Sequence, residues 1–263
     1  MEDFTIRILE ELLISYKKNG YHFQTFRSFL KSPLDRVVIL RHDIDARKKH
    51  ALIFAELQSR LGMVGTYYFR MVPASFDEKL IKKIADLGHE IGYHYEDMDF
   101  AEGNPDKAIK LFERHLSKLR NIVPIHTICM HGSPRSAFDN KDVWKSYDYR
   151  KYGISGEPYF DLNFDKVFYL TDTGRRWDGH KVSVRDKVET HYDIDIRTTK
   201  DIINRLENKE LPKQVMINFH PQRWTDNPLL WTTEKYTQKF KNLIKYYLIK
   251  HRESNQNVPV LSQ

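Results

Sequence analysis

The run Val-Val-Ile-Leu-Arg-His-Asp-Ile-Asp, residues 37–45, contains the strongest fold signal of the chain. Its first four residues are apolar and three of them are β-branched, which favours a short buried strand over a helix. The arginine, histidine and two aspartates that follow are costly to bury unless they pair with one another or bind a cation. Because active sites of parallel α/β folds form at the carboxyl ends of strands, this run predicts a metal site or an acid–base site. The alternative is an Asp-rich turn that caps a helix beginning near Ala46.

Short apolar runs alternate with helical periodicity along most of the chain. The predicted strands lie at 37–41, 66–70, 89–94, 125–130, 167–170 and 215–219. The predicted helices lie at 4–18, 47–61, 76–87, 105–121, 199–208 and 233–250, and the last has an apolar series that includes Tyr236, Phe240 and Leu243. Alternation of this kind with short connections is typical of a parallel sheet with crossover helices, so the sequence predicts an α/β fold.

Length and composition favour one domain over residues 1–263. The chain is 40% hydrophobic and 13% aromatic, which is enough to fill a substantial core. Residues 1–36 are predicted to form a helical extension before the first buried strand. From residue 132 the periodicity weakens, and we predict a long active-site loop region at 132–180, since long segments of this kind inside a compact domain are usually functional.

Several features of the sequence favour a cytoplasmic protein that is not integral to a membrane. No run of 18 or more apolar residues is present, and Met1-Glu2-Asp3-Phe4 lacks the basic start and apolar stretch of a signal peptide. The single cysteine, Cys129, cannot form an intramolecular disulfide, which agrees with a reducing compartment. Its position in an apolar run predicts a buried core thiol rather than a nucleophile.

The formal charge of +7 suits an anionic partner, such as a phosphorylated small molecule or a membrane surface. The basic residues are scattered, and no helix-turn-helix, zinc-finger or RNA-recognition motif accompanies them. We therefore expect no nucleic-acid partner.

Acidic and imidazole side chains recur directly after predicted strands. In a parallel barrel these groups converge on one face although they are far apart along the chain. They are Asp43, Asp45, His94, His131, Asp172 and His220. A carboxylate with two imidazoles suits one divalent ion, with zinc favoured and iron, cobalt, nickel or manganese as alternatives. With a second aspartate to accept a proton and a further histidine to donate one, the set predicts metal-assisted hydrolysis of an amide or ester.

Three motifs resemble those of the polysaccharide deacetylases, the NodB-homology or carbohydrate esterase 4 family. They are Arg-His-Asp-Ile-Asp at 41–45, Gly-His-Glu-Ile-Gly-Tyr-His at 88–94 and Asn-Phe-His at 218–220. The resemblance implies a deformed (β/α) barrel and a divalent metal held by Asp-His-His. It also implies that Asp43 is the catalytic base and Asp45 a metal ligand, with these two roles exchangeable, that His94 is a ligand, and that His220 is the catalytic acid.

The second motif departs from the family pattern at its end. The family places a second histidine four residues after the first, whereas this chain has Met98, whose thioether is a poor ligand for a hard divalent ion. We expect His131 to complete the metal site, because it lies at the end of the next strand. Asp97 and His89 are the alternatives, and His89 is the weaker one because it lies at the beginning of its strand.

Further residues are expected to bind substrate or to orient the catalytic base. Arg41, Arg135 and Arg175, the last followed by Arg176, carry the positive charge for this role. Asp172 and Trp177 resemble the family's Asp-and-Trp motif.

These observations predict a metal-dependent hydrolase that deacetylates an N-acetylated amino sugar in surface polysaccharide synthesis, such as that of lipopolysaccharide. Because a cytoplasmic location is expected, the sugar would be nucleotide-linked or lipid-linked, and contact with the inner membrane face would be transient. The alternatives are another C–N hydrolase on the same fold, such as an amidase or a metal-free allantoinase-like protein, or a non-catalytic carbohydrate-binding or scaffold protein. The sequence leaves open the sugar, the acyl group and the oligomeric state.

Overall fold

The computed structural model describes residues 2–133, 136–178 and 188–256, with backbone alone from residue 245 onwards. Its described part contains one sheet of parallel strands with helices packed around it. The strands are β1 (His22–Gln24), β2 (Val37–Ile44), β3 (Thr66–Phe69), β4 (Glu90–Tyr95), β5 (Ile128–Met130), β6 (Phe168–Thr171) and β7 (Gln214–Phe219). The sheet curls into a half-barrel, which confirms the predicted deformed (β/α) barrel.

The strand order is β5-β4-β3-β2-β7-β6, and β1 lies beside the first half of β2. All pairings are parallel, for example Leu40 of β2 beside Ile217 of β7 and His94 of β4 beside Cys129 of β5. The carboxyl ends of the strands therefore lie at one rim of the half-barrel, and polar residues that follow them can meet there.

Nine described helices connect or flank the strands. They are α1 (Ile6–Lys18), α2 (Phe26–Lys31), α3 (Lys49–Arg60), α4 (Glu78–Asp86), α5 (Asp97–Phe100), α6 (Pro105–Arg120), α7 (Pro158–Asp161), α8 (Thr199–Glu207) and α9 (Pro228–Gln256). Local sequence defines several helix starts: Thr5, Asp77 and Asn104 each accept a hydrogen bond from a first-turn N–H, and Thr198 forms a capping box with Asp201.

Side chains of β2 alternate between two buried surroundings. Val38, Leu40 and Ile44 belong to the large core between the sheet and the outer helices. Val37 and Ile39 belong to a smaller inner cluster, which also contains Phe26 and Phe29 of α2, Tyr68, Cys129, Val167 and Met216. Because strand side chains alternate, the odd-numbered residues 41, 43 and 45 continue the inner face towards the polar rim.

His42 lies on the opposite face of β2 from the candidate site and is fully buried. Its ring stacks on Tyr67 at 4.0 Å between centroids, and it forms hydrogen bonds with the Thr66 carbonyl and with Gln58. Burial lowers the pKa of His42 to about 3, so this histidine is a neutral structural residue.

Some predicted segments differ from those observed. Residues 1–36 contain β1 as well as two helices, because the three-residue strand is too short to show alternation and depends on pairing with β2. The predicted strand at 125–130 is regular only at Ile128–Met130, and the 132–180 region contains two 3-10 turns (Asn140–Lys145 and Tyr149–Tyr152). Among the described helices, none is both long enough and apolar enough to cross a membrane.

Candidate active site

Arg41 and Asp43 form a buried, bidentate ion pair on the inner face of β2. Arg41 Nε donates to Asp43 Oδ1 at 3.0 Å and Nη2 donates to Oδ2 at 2.6 Å, while the Asn218 amide of β7 donates to Oδ2 at 3.0 Å. Burial alone would raise the pKa of Asp43, but Arg41 and His94 outweigh it and lower the pKa to about 2. The arrangement holds an anionic carboxylate in one orientation.

Asp45 lies just beyond β2, and three imidazoles approach its carboxylate. His94 Nε2 lies 3.5 Å and His131 Nε2 3.7 Å from Asp45 Oδ1, and His220 Nε2 lies 3.8 Å from Asp45 Oδ2. These separations are too long for hydrogen bonds, and Oδ1 is buried without a hydrogen-bond partner. An unsatisfied carboxylate oxygen facing imidazole nitrogens is a donor set for a cation.

An oxygen lies close to the opposite nitrogen of each of the three imidazoles, and it forms a hydrogen bond with that nitrogen in His94 and His220 but not in His131. The Nδ1 atom of His94 lies 2.9 Å from the Cys129 carbonyl, that of His131 lies 3.0 Å from Glu96 Oε2, and that of His220 lies 2.6 Å from Asp172 Oδ1. Because carbonyl and carboxylate oxygens only accept, the Nδ1 atoms of His94 and His220 carry the hydrogens of these bonds, and the Nε2 atoms face Asp45. Metal-ligating histidines are commonly held in this way.

Two of the three donor separations in the Asp45, His94 and His131 set suit a divalent ion of the zinc type. Tetrahedral bonds of about 2.05 Å place two ligand atoms about 3.3 Å apart, close to the 3.5 and 3.7 Å measured from Asp45 Oδ1 to the two Nε2 atoms. The two rings lie 5.2 Å apart between centroids.

Two groups of described donor atoms have all their members within 4.8 Å of one another, and the Asp45, His94 and His131 set is not one of them. They are Asp43, His94 and Cys129, and Glu96, Asp99 and His131. Each group contains one of the two candidate histidine ligands.

Asp172 is fully buried behind His220 and accepts four hydrogen bonds. The donors are the backbone N–H (2.9 Å) and Nδ1 (2.6 Å) of His220, Arg223 Nη1 (2.8 Å) and Trp224 Nε1 (2.6 Å). Burial would raise the pKa of Asp172, but His220 and Arg223 outweigh it and lower the pKa. We expected Asp172 to bind substrate, whereas the structure places it where it orients the His220 ring.

Glu96 and Arg70 support His131 and were not predicted from the sequence. Arg70 donates to both Glu96 oxygens, at 2.9 and 2.6 Å. Burial would raise the pKa of Glu96, but His131 and Arg70 lower it to about 2. Their positions in the sequence could have identified them, because Glu96 directly follows β4 and Arg70 directly follows β3.

The two alternative third ligands are engaged elsewhere. The Asp97 carboxylate accepts a hydrogen bond from Tyr93 and lies 2.8 Å from His115 Nδ1. His89 Nδ1 accepts from the Gly65 N–H, and its Nε2 lies 2.9 Å from the Ala55 carbonyl. Met98 is buried in the large core.

The remaining expected substrate-binding residues do not gather around Asp45. Arg41 lies behind Asp43, as described above. Trp177 is buried in the core, where its indole N–H donates to Thr199. Arg175 stacks on Phe4 and Trp231 at a separate cavity, because the chain turns away after β6. Arg135 lies outside the described residues.

Together, the fold and the site define an α/β half-barrel with a carboxylate–imidazole centre at the carboxyl ends of its strands. No protein-family model matches the sequence, and no curated protein matches it significantly. Solved structures similar to this one come from the carbohydrate esterase 4 family, the family that the sequence motifs resemble.

Three of these structures are from bacteria. A family 4 pseudoenzyme of Bacillus anthracis is 11% identical with a TM-score of 0.45, and the alignment covers 80% of this chain and 62% of that one. A family 4 carbohydrate esterase of Bacillus subtilis is 11% identical with a TM-score of 0.42, covering 88% and 84%. A family 4 esterase of Streptococcus mutans is 14% identical with a TM-score of 0.41, covering 89% and 91%.

Proposed function

We propose that the protein is a metal-dependent hydrolase that deacetylates an N-acetylated amino sugar. The observation that carries the proposal is the convergence of three Nε2 atoms on the Asp45 carboxylate, next to an anionic Asp43 held by Arg41. An amide hydrolase needs this combination of a cation site, a proton acceptor and a proton donor.

In this proposal Asp45, His94 and His131 hold the ion, with zinc as the favoured metal. When bound, a divalent ion supplies Lewis-acid activation of water and of the scissile carbonyl. Glu96 and the Cys129 carbonyl keep the two imidazoles oriented through their Nδ1 atoms.

Asp43 and His220 carry the proton transfers on either side of that centre. Asp43 accepts the proton of the attacking water, since Arg41 and Asn218 keep its carboxylate anionic and correctly turned. His220 donates a proton from Nε2 to the leaving amine, since Asp172 occupies its Nδ1. The arrangement of base, acid and orienting carboxylate follows the general logic of assisted hydrolysis.

The proposed substrate is a nucleotide-linked or lipid-linked amino sugar of surface polysaccharide synthesis, modified in the cytoplasm. The net charge of +7 supports an anionic carrier on the sugar. Higher activity on neutral chitooligosaccharides than on any nucleotide-linked sugar would contradict this choice of substrate.

The test combines metal analysis of the purified protein with acetate release from a panel of nucleotide-linked N-acetyl sugars. We expect close to one divalent ion per chain in the wild type and loss of the ion in Asp45→Ala and His94→Ala. The matched control is His22→Ala, which removes an exposed histidine of β1 and should keep the ion. Full metal occupancy in both site variants would refute the ligand set.

The His220→Ala variant separates metal binding from catalysis. It should retain the ion and lose about a hundred- to ten-thousand-fold in turnover, the usual contribution of a general acid. Metal-loaded protein that releases no acetate from any sugar would favour a different C–N hydrolase or a binding protein.

A further inference from the structure

Helix α9 packs against the rest of the protein through polar side chains. Glu234 is 8% exposed and forms an ion pair with Arg47 at 3.2 Å. Gln238 is 5% exposed and donates to Asn242, whose own amide donates to the Gly174 carbonyl. From Glu234 to Asn242 the inward face of this helix is therefore hydrophilic, the reverse of an ordinary surface helix.

The outward face of the same helix is apolar. Leu229, Tyr236, Phe240 and Leu243 are 79%, 63%, 64% and 51% exposed, and Ile244 is 45% exposed. At 100° per residue these side chains fall within one third of the helix circumference. We call these five residues the apolar stripe. A continuous exposed surface of this kind marks an interaction site.

Positive charge flanks the apolar stripe on both sides. Lys239 on one side and Lys241 on the other are exposed. Glu234 is the only acidic residue between Pro228 and Ile244, and it is buried against Arg47. Two copies of this helix packed together would bring lysine against lysine, whereas an anionic bilayer supplies a counter-charge for each one.

A cavity of about 440 Å³ lies beside the helix. Its lining includes the basic residues Arg175, Lys235 and Lys239 and the acidic residues Glu2 and Asp3. The Arg175 guanidinium stacks on Trp231 at 4.4 Å, and its Nη2 atom is buried without a hydrogen-bond partner. An anion can accept a hydrogen bond from a guanidinium donor of this kind.

We propose that α9 is a membrane-surface helix, which inserts the apolar stripe among the acyl chains of an anionic bilayer while Lys239 and Lys241 contact lipid headgroups. Basic helices with aromatic and aliphatic side chains on one face bind at bilayer interfaces in this way. The proposal uses no residue of the Asp45 site and does not depend on the proposed hydrolase activity.

The test is cosedimentation of the full chain with vesicles of phosphatidylcholine alone or of phosphatidylcholine with phosphatidylglycerol. We expect binding to the anionic vesicles, weakened by added salt. The double variant Phe240→Ser/Leu243→Ser should lower the partition coefficient about tenfold or more. Lys239→Gln/Lys241→Gln should have a comparable effect on anionic vesicles.

Matched controls change similar residues elsewhere on the surface. Ile53→Ser/Phe100→Ser removes apolar side chains that are 42% and 48% exposed, and Lys82→Gln/Lys110→Gln removes two exposed lysines. Both controls should bind anionic vesicles like the wild type.

Three results would overturn the proposal. They are absence of wild-type binding to either vesicle, equal binding by the apolar-stripe variant, and a solution dimer of the wild type that the apolar-stripe variant dissociates. The last result would assign the face to contact between copies of the chain. Since vesicle binding is measured without sugar substrate, its failure and the failure of the hydrolase assignment are separate results.

Discussion

Glu157 is a fully buried carboxyl group whose protonation should make stability depend on pH. Its Oε1 accepts the Met130 N–H at 3.0 Å, and its Oε2 accepts the Tyr159 N–H at 2.5 Å. Burial raises the pKa of Glu157 from 4.5 to about 7, although Met130, Arg41 and Tyr159 act in the opposite direction. Between these two pH values the folded state binds more protons than the unfolded state, so the free energy of unfolding decreases as the pH rises.

The size of the effect follows from the shift of the pKa. A shift from 4.5 to about 7 corresponds to about 3 kcal/mol when the whole range is crossed. Between about pH 5 and pH 8, part of the transition lies outside the range and the expected loss is about 2.5 kcal/mol. Glu157→Gln removes the titration, so this loss should vanish in the variant.

Urea unfolding at 25 °C at several pH values provides the assay, with the difference between wild type and Glu157→Gln taken at each pH. The amide of the variant places an N–H₂ against a backbone N–H, which lowers the free energy of unfolding by about 1–3 kcal/mol at every pH. Because this loss is the same at each pH, it does not change the pH dependence of the difference between the two proteins. As a control, Glu113→Gln changes a carboxylate of α6 outside this cluster and should retain the wild-type dependence. Parallel pH curves for wild type and Glu157→Gln would refute the reasoning.

Three further predictions concern the site and its support. Asp172→Asn keeps the shape of Asp172 but removes the anionic acceptor of His220 Nδ1–H. Turnover should therefore fall about a hundredfold or more, while the metal content measured on the same sample stays unchanged. Loss of metal would contradict this role. Glu96→Gln should weaken ion binding about ten- to a hundredfold in a competition titration with a chelator, because it loosens His131. Ion binding with wild-type affinity would contradict the role of Glu96 in holding His131. Gly92→Ala should lower the free energy of unfolding by about 1–3 kcal/mol in urea, since an added Cβ would overlap the Tyr68 ring. At Gly88, which has a positive φ, an added Cβ meets nothing within 4 Å, so Gly88→Ala measures backbone strain without any overlap.

Much of the fold could be predicted because its signals are local. Runs of β-branched residues and helical periodicity identify β2, β3, β4 and β7 within a few residues. Strand β1 was missed since three residues show no periodicity, and their pairing with Val37–Ile39 depends on a segment further along the chain. The predicted domain count, cytoplasmic location and site roles stay predictions.

The site shows the same division between local pattern and tertiary contact. Asp43, Asp45, His94 and His220 were predicted from strand ends, because parallel strands bring their carboxyl ends to one rim. Glu96 could not be selected in the same way, since its role depends on facing His131 across the rim.

The sequence by itself determined that strands and helices alternate, that polar residues follow the strands and that the chain has a long apolar helix series near its end. Only the tertiary structure decided which face of each element is buried: Asp172 and Trp177 are buried, and α9 turns Glu234 inward and Phe240 outward. The physical reason is that hydrophobic periodicity records the presence of an apolar face, whereas the surroundings of that face are set by contacts between residues far apart in the chain.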